Sequence, residues 1–523
     1  MKFVQSILRA GGVSPLILAL RGLTPPARRR RRRRNCDLIL ALRGLTPPAR
    51  RVSCGLSLIA ALVAASTASA QTPGIEPTKL TLSPEPAPSP ALKYLLLPEL
   101  KDQTPGNAAL EYYRAFSPEW WGVLRQQKMR ETVDKALQTP LEDLPRKELD
   151  WLKTNHMLRQ VDVAARREYV DWGMGERLRR EGYNLLLPDI QSLRQTGVLL
   201  AVRARLEIAE GNYDKALYTL QTSLALAHHT GDGNTLIQDL VGIALAQIAL
   251  VQLEALIQRP DAPNLYWALT DLPRPFFDLR KALQGEKMGL YASLPELRDL
   301  ETKRLTPEQQ RKLTPAMGGG LEAMIFSYGA KPREDHRLMG TLVVLRAYPE
   351  AKKAMIAEGR KPEEVEALPA LQVVLIHSLH QYQRLQDDVF KCQGLPYWEA
   401  QPRLVELDKR FRLARQRLEA MPFLELLPAI QKVLGASVRM DRRIAALRCV
   451  EAIRMHAAAH DGKLPATLEA ITEVPIPRDP ATDKAFVYRV SGDKATLFAP
   501  PPQGEQANLS NALSYELTIR SKK

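Results

Sequence analysis

The sequence predicts a mainly α-helical protein, an irregular helical bundle or solenoid that ends in a small C-terminal α+β module. Three observations predict it. Aromatic residues make up only 6% of the chain while Ala, Leu, Arg and Glu abound, which favours helices over a β-sandwich. Apolar residues recur at helical spacing between Gly and Pro stops across residues 106–431. Beyond Ala436 the composition shifts, and Ala485–Val490 and Lys494–Ala499 alternate around Ser491-Gly492-Asp493, a hairpin signal.

The first seventy residues read as a leader. Gly55–Ala65 is an apolar run of signal-peptide length, preceded by Arg50 and Arg51 and followed by Ala68-Ser69-Ala70-Gln71, with small residues where a signal peptidase cuts. The run falls short of the roughly 20 residues of a membrane span, so cleavage after Ala70 and export to the periplasm or beyond are expected. Cys54 precedes the apolar core, the wrong order for lipid attachment. Upstream, LILALRGLTPPAR occurs at Leu16–Arg28 and identically at Leu38–Arg50, flanking seven arginines, Arg28–Arg34. Folded repeats keep a pattern and vary their residues. The duplication therefore reads as repetitive sequence ahead of a downstream start near Leu45 or Val52, in preference to a basic arm for nucleic acid or anionic lipid.

Splitting the chain at Ala70 changes its apparent chemistry. The formal charge of +16 falls to +4, with 61 basic and 57 acidic residues beyond the leader. Such a balance gives no reason to expect a nucleic-acid partner. Two cysteines remain, Cys392 and Cys449, both in helical patterns among apolar neighbours and without metal-ligand spacing. Buried free thiols are expected over a disulfide.

Gln71–Pro105 reads as a Pro-rich linker around Pro84-Glu85-Pro86-Ala87-Pro88-Ser89-Pro90. The helical region opens at Asn107. Thr139-Pro140-Leu141-Glu142 and Thr306-Pro307-Glu308-Gln309 have the form of capping boxes with proline at the first helical position. Val198–Ala209, Tyr213–His229 and a nearly apolar Asn234–Gln258 follow as consecutive helices, the last a buried central one. Leu305–Pro369 is more broken, and Gly318-Gly319-Gly320, lacking a following Lys-Ser/Thr, reads as a flexible loop and not a phosphate cradle. Leu371–Lys391 and Pro396–Met421 resume as helices. The C-terminal module, residues 436–523, comprises a helix to about His460, a turn, a short Ala466–Ile471 helix, the hairpin, and a third strand at Tyr515–Ile519.

Three resemblances rest on particular residues. GNYDKALYTLQTSL, with Gly211, Tyr213, Ala216, Leu220 and Leu224, resembles one tetratricopeptide helix pair near 198–230, which implies a protein-binding repeat. HDGKLPATLEAI and PRDPATDKAFVYRV, through Gly462, Pro465, Asp479, Pro480, Phe486 and Tyr488, resemble the C-terminal region of type II secretion pseudopilins. The chain lacks those proteins' immediate N-terminal apolar helix. ALKYLLLPELKDQTPGNAALEYYRAF, NLYWALTDLPRP and LPYWEA are similar to large exported proteins of planctomycete-type bacteria. That resemblance covers most of the chain beyond the leader and implies no particular activity.

Chemistry-bearing patterns are sparse. His456 and His460 stand one turn apart, a spacing that suits a metal pair, but Ala457 replaces the glutamate of the zincin signature and no third ligand is evident. His377 and His380, with Asp387 and Asp388, equally suit a solvated helix face. His228-His229 read as a helix C-terminus, where the dipole favours cations. Trp120-Trp121 and Tyr397-Trp398 read as anchors of helix junctions before ligand walls. No G-x-S-x-G, Rossmann or Walker pattern occurs. Catalytic, cofactor-binding and metal residues are therefore assigned as none, and no cofactor is expected. The leading expectation is a non-catalytic exported scaffold that binds a protein partner. Alternatives are an exported hydrolase or metalloenzyme with a site built from scattered helices, and a pseudopilin-like secretion component.

Overall fold

Glycine and proline stops cut the sequence into helices whose ends can be read residue by residue. A computed structural model describes residues 76–116, 127–185, 189–321, 334–416, 422–423, 427–508 and 511–520. The export signal, the duplicated segment and Trp120-Trp121 lie outside the described residues. The longer helices are α1 (Ala108–Ala115), α2 (Gln127–Ala136), α3 (His156–Ala164), α4 (Met174–Glu181), α5 (Asp189–Ala209), α6 (Tyr213–Gly231) and α7 (Leu236–Ile257). They continue as α8 (Arg280–Ser293), α9 (Pro307–Pro315), α10 (Glu334–Ala357), α11 (Ala370–Phe390), α12 (Tyr397–Gln416) and α13 (Leu427–Ala459). The protein is thus mainly α with a small C-terminal sheet, as the sequence predicts.

α5, α6 and α7 pack on one another in chain order. Gly211 adopts φ 75°, a left-handed turn that only glycine enters without strain, and the chain folds back into α6. Ala216, Leu220 and Leu224 are buried in the resulting seam. Thr235 opens α7 by accepting a hydrogen bond from the Gln238 amide. α7 is long and apolar enough to cross a membrane by length and composition, and 67% of its most apolar window is buried inside the protein.

Four sequence readings need correction. Gln71–Pro105 is not a spacer over its described part: Thr78–Leu82 forms β1, with Leu80 and Leu82 buried, and the Glu85 amide donates to the Arg454 carbonyl at 3.1 Å. Thr104–Asn107 forms β2, paired in parallel with β3 (Arg167–Tyr169). Proline density hid these segments, because a chain that pairs only along one edge tolerates prolines between strands. Thr139 does not open a helix with a capping box. Its hydroxyl donates to the Lys135 carbonyl at 3.0 Å, and Arg205 donates to the Ala136 and Thr139 carbonyls, so these groups terminate α2. At Thr306 the capping box does form.

Gly318-Gly319-Gly320 is no free loop either. Ala316–Gly320 forms a kink, with Gly318 at φ −99° and Gly319 at φ 84° outside helical geometry, and a Cβ on Gly318 would lie 2.1 Å from the His336 carbonyl oxygen. A Cβ on Gly340 would lie 2.1 Å from the Thr314 carbonyl oxygen, so the glycines permit a backbone-to-backbone crossing. The broken reading of 305–369 holds at Gly319 (φ 84°) and Gly359 (φ 101°) and fails at Gly340. α10 runs for 24 residues straight through Gly340 and Pro349.

The sheet has strand order β1-β6-β5-β4, with β4 at Val487–Ser491, β5 at Lys494–Ala499 and β6 at Leu513–Ile519. β4, β5 and β6 are antiparallel, whereas β1 joins β6 in parallel, with Thr78 opposite Tyr515 and Leu82 opposite Ile519. Leu80, Leu82, Ala495, Leu497, Ala499, Tyr515 and Leu517 are buried, the period-two signature of a sheet with one face in the core. α13 contacts β5 and β6 as well as α7 and the short helix Tyr266–Thr270.

Candidate functional site

Three arginines of α13, Arg442, Arg443 and Arg454, are tied up in structural pairs. Arg442 forks onto Asp479, Nε to Oδ1 at 2.8 Å and Nη2 to Oδ2 at 2.6 Å, and also donates to the Asn511 and Pro500 carbonyls. Arg443 bonds Glu254 and Gln247 of α7, and the Tyr515 hydroxyl donates to the same Glu254 carboxylate at 2.5 Å. Arg454 pairs with Glu451, both fully buried, and donates to the Ser83 and Ala262 carbonyls. One helix thereby gathers the N-terminal strand segment, the helical body and the sheet.

Most of the candidate residues named above take similar structural roles. His228 and His229 do not act as cations at a helix end. Burial pushes His229 down to about 3, and its Nδ1 meets the Tyr112 hydroxyl at 3.0 Å beside the Tyr112–Trp172 ring stack. Desolvation here exceeds the dipole's attraction. His380 meets Glu301 at 2.7 Å, and Glu301 and Glu358 in turn pair with Arg360 and Arg384. The cluster rims a cavity of about 420 Å³ lined by Tyr291, Leu300, Ile376, Leu379 and Gln383. Asp387 and Asp388 turn to Lys287 and to Lys391 and Arg410, the ion-paired helix face that the spacing equally suits. Tyr397 packs against the core while Trp398 stays 41% exposed. Cys392 and Cys449 are buried free thiols.

His456 and His460 are the exception. Their rings stack at 3.9 Å, and Glu473 brings one oxygen to 3.3 Å from His456 Nδ1 and 3.4 Å from His460 Nδ1. Among the described residues, this is the one grouping of three ligand-type side chains close enough to share an ion. Glu473 is not legible in the sequence, since it arrives from a turn-rich segment with no helical or strand periodicity.

Two further features escape sequence reasoning. α10 exposes Leu338 (67%), Met339 (53%), Leu342 (52%) and Leu345 (64%), an apolar face at i, i+4 and i+7 with Arg337 and Arg346 exposed alongside. The second is Asp239 in the first turn of α7, buried with no hydrogen-bond partner on either oxygen among the described residues. Burial raises its pKa to about 9 and that of nearby Glu286 to about 7. The folded protein therefore holds Asp239 protonated where the unfolded chain ionises near pH 4. That stability is complete below pH 4 and is lost as pH climbs toward 9. Asp239→Asn is expected to raise unfolding free energy by about 1–3 kcal/mol at pH 8, the helix N-terminus offsetting part of the penalty, with no gain at pH 4. Urea denaturation at the two pH values checks it.

No protein-family model, curated protein or solved structure matches the chain.

Proposed function

We propose that the chain is a non-catalytic exported helical scaffold that binds a partner protein through the apolar face of α10. The observation that carries this reading is the row of Leu338, Met339, Leu342 and Leu345 on one helix. Scattered single apolar side chains on a surface need no explanation, whereas a contiguous row at helical spacing is the pattern of a docking face. A partner presenting an amphipathic helix would match that spacing, and acidic residues flanking its apolar stripe would complement Arg337 and Arg346. The arginine–carboxylate pairs around α13 support the non-catalytic part, because these charged groups hold the fold together and are not set beside a nucleophile as its base.

The test places a photo-crosslinking side chain at position 342 of the full chain in its own cells. A specific adduct in the exported fraction is expected, and the captured protein, once purified, should bind the wild-type chain in solution. Leu342→Asp should weaken that binding by roughly thirtyfold, as loss of a central apolar contact does. Absence of an adduct at 342, or binding unaffected by Leu342→Asp, would overturn the reading.

A further inference from the structure

We infer that His456, His460 and Glu473 form a site for one divalent transition-metal ion of the zinc class. The site stands on a different helix from the α10 face and does not depend on the scaffold reading. The i, i+4 spacing puts both imidazoles on one face at the C-terminal end of α13, His460 standing just past its last residue Ala459. Glu473 reaches them from the segment after the short 3-10 turn Leu468–Ala470. Its oxygen lies 3.3 and 3.4 Å from the two Nδ1 atoms. Donors around a tetrahedral ion with bonds of about 2.0–2.1 Å stand about 3.4 Å apart, the separation His456 Nδ1 already has from the carboxylate and His460 Nδ1 must regain once its ring turns.

The polar accounting points the same way. His456 is buried, its side chain 9% exposed, and its Nδ1 faces only the Glu473 carboxylate oxygen, at 3.3 Å and outside good hydrogen-bond geometry. A cation between them gives the imidazole nitrogen a partner and neutralises the partly buried carboxylate. Two imidazoles and one carboxylate select zinc-like ions over magnesium or calcium, which prefer all-oxygen cages. Coordination asks for one movement. The rings lie within 19° of parallel, so their in-plane lone pairs run side by side instead of converging. His460 also bonds the His456 carbonyl through Nδ1 at 2.9 Å. Its side chain is 49% exposed, and turning it breaks that bond and releases the nitrogen toward the ion. With three protein ligands, the fourth position belongs to water.

The experiment strips the full chain with a chelator and titrates it calorimetrically with zinc sulfate alone. One equivalent should bind with a dissociation constant in the micromolar range or tighter. Cobalt substitution should give the intense visible bands of a tetrahedral site. His460→Ala and Glu473→Gln, both at positions with solvent access, should each weaken zinc at least about tenfold while leaving circular dichroism and thermal unfolding of the metal-free chain unchanged. No saturable zinc uptake, or uptake that both variants leave intact, would overturn the assignment.

Discussion

Arg442→Ala should destabilise the protein by about 3–5 kcal/mol, with the C-terminal sheet the first element to open. The guanidinium is 4% exposed and Asp479 is 1% exposed, so the substitution strands a carboxylate in a medium that cannot solvate it. The Ala481 amide and the Thr482 hydroxyl still donate to Asp479, but neither carries a charge. Two carbonyls, those of Pro500 and Asn511, lose their donor at the same time, and both lie on the connection from β5 to β6. Urea unfolding near neutral pH measures the loss, and amide exchange in β5 and β6 locates it. Removing both charges together, as Arg442→Met with Asp479→Leu, should recover a large part, because replacing a buried pair with apolar groups costs far less than breaking it. A single-variant effect below about 1 kcal/mol would mean that apolar packing alone holds the sheet to α13.

Gly285→Ala should cost about 3 kcal/mol, against the direction of helix propensity. In an open helix the change gains up to about 1 kcal/mol. Here the new Cβ would stand 1.8 Å from the Asn234 carbonyl oxygen and 2.9 Å from its carbon, and backbone does not yield as a side-chain tip does. α8 would have to shift away from the turn that precedes α7, disturbing the amide of Leu236 that donates to Glu286. Gly175 supplies the control. A Cβ there meets nothing closer than Asn234 Oδ1 at 3.9 Å, so Gly175→Ala should stay within about 0.5 kcal/mol of wild type. Thermal unfolding of the two variants separates close approach from propensity.

Much of the fold is legible because its signals are local. The turn at Gly211, the capping box at Thr306 and the hairpin around Gly492 all depend on residues within one turn of each other, and all form where their chemistry requires. The misses are long-range. β1 has the alternation of a strand, but its partner β6 lies more than 400 residues away, and nothing near Thr78 announces it. Thr139 shows the converse: its local pattern fits a cap, and Arg205 from α5 claims the carbonyls that end the preceding helix. For the candidate metal site, half of the signal is readable as the His456–His460 spacing. Glu473 requires knowing where the chain returns. The exposed row on α10 cannot be recognised from spacing alone, because the same spacing usually marks a face turned inward.

The parallel pairing of β1 with β6 has a consequence for how the chain is made. β6 lies between β1 and β5, so the penultimate position in the sheet is filled by residues 513–519, and β1 at 78–82 has no other neighbour among the described strands. A chain emerging from its N-terminal side must keep Thr78–Leu82 unpaired through the synthesis of the whole helical body. Closing a loop of that length is slow compared with local helix formation. The exposed edge is the corresponding hazard, and the prolines that follow β1, Pro84, Pro86, Pro88 and Pro90, would blunt strand-to-strand association during the wait.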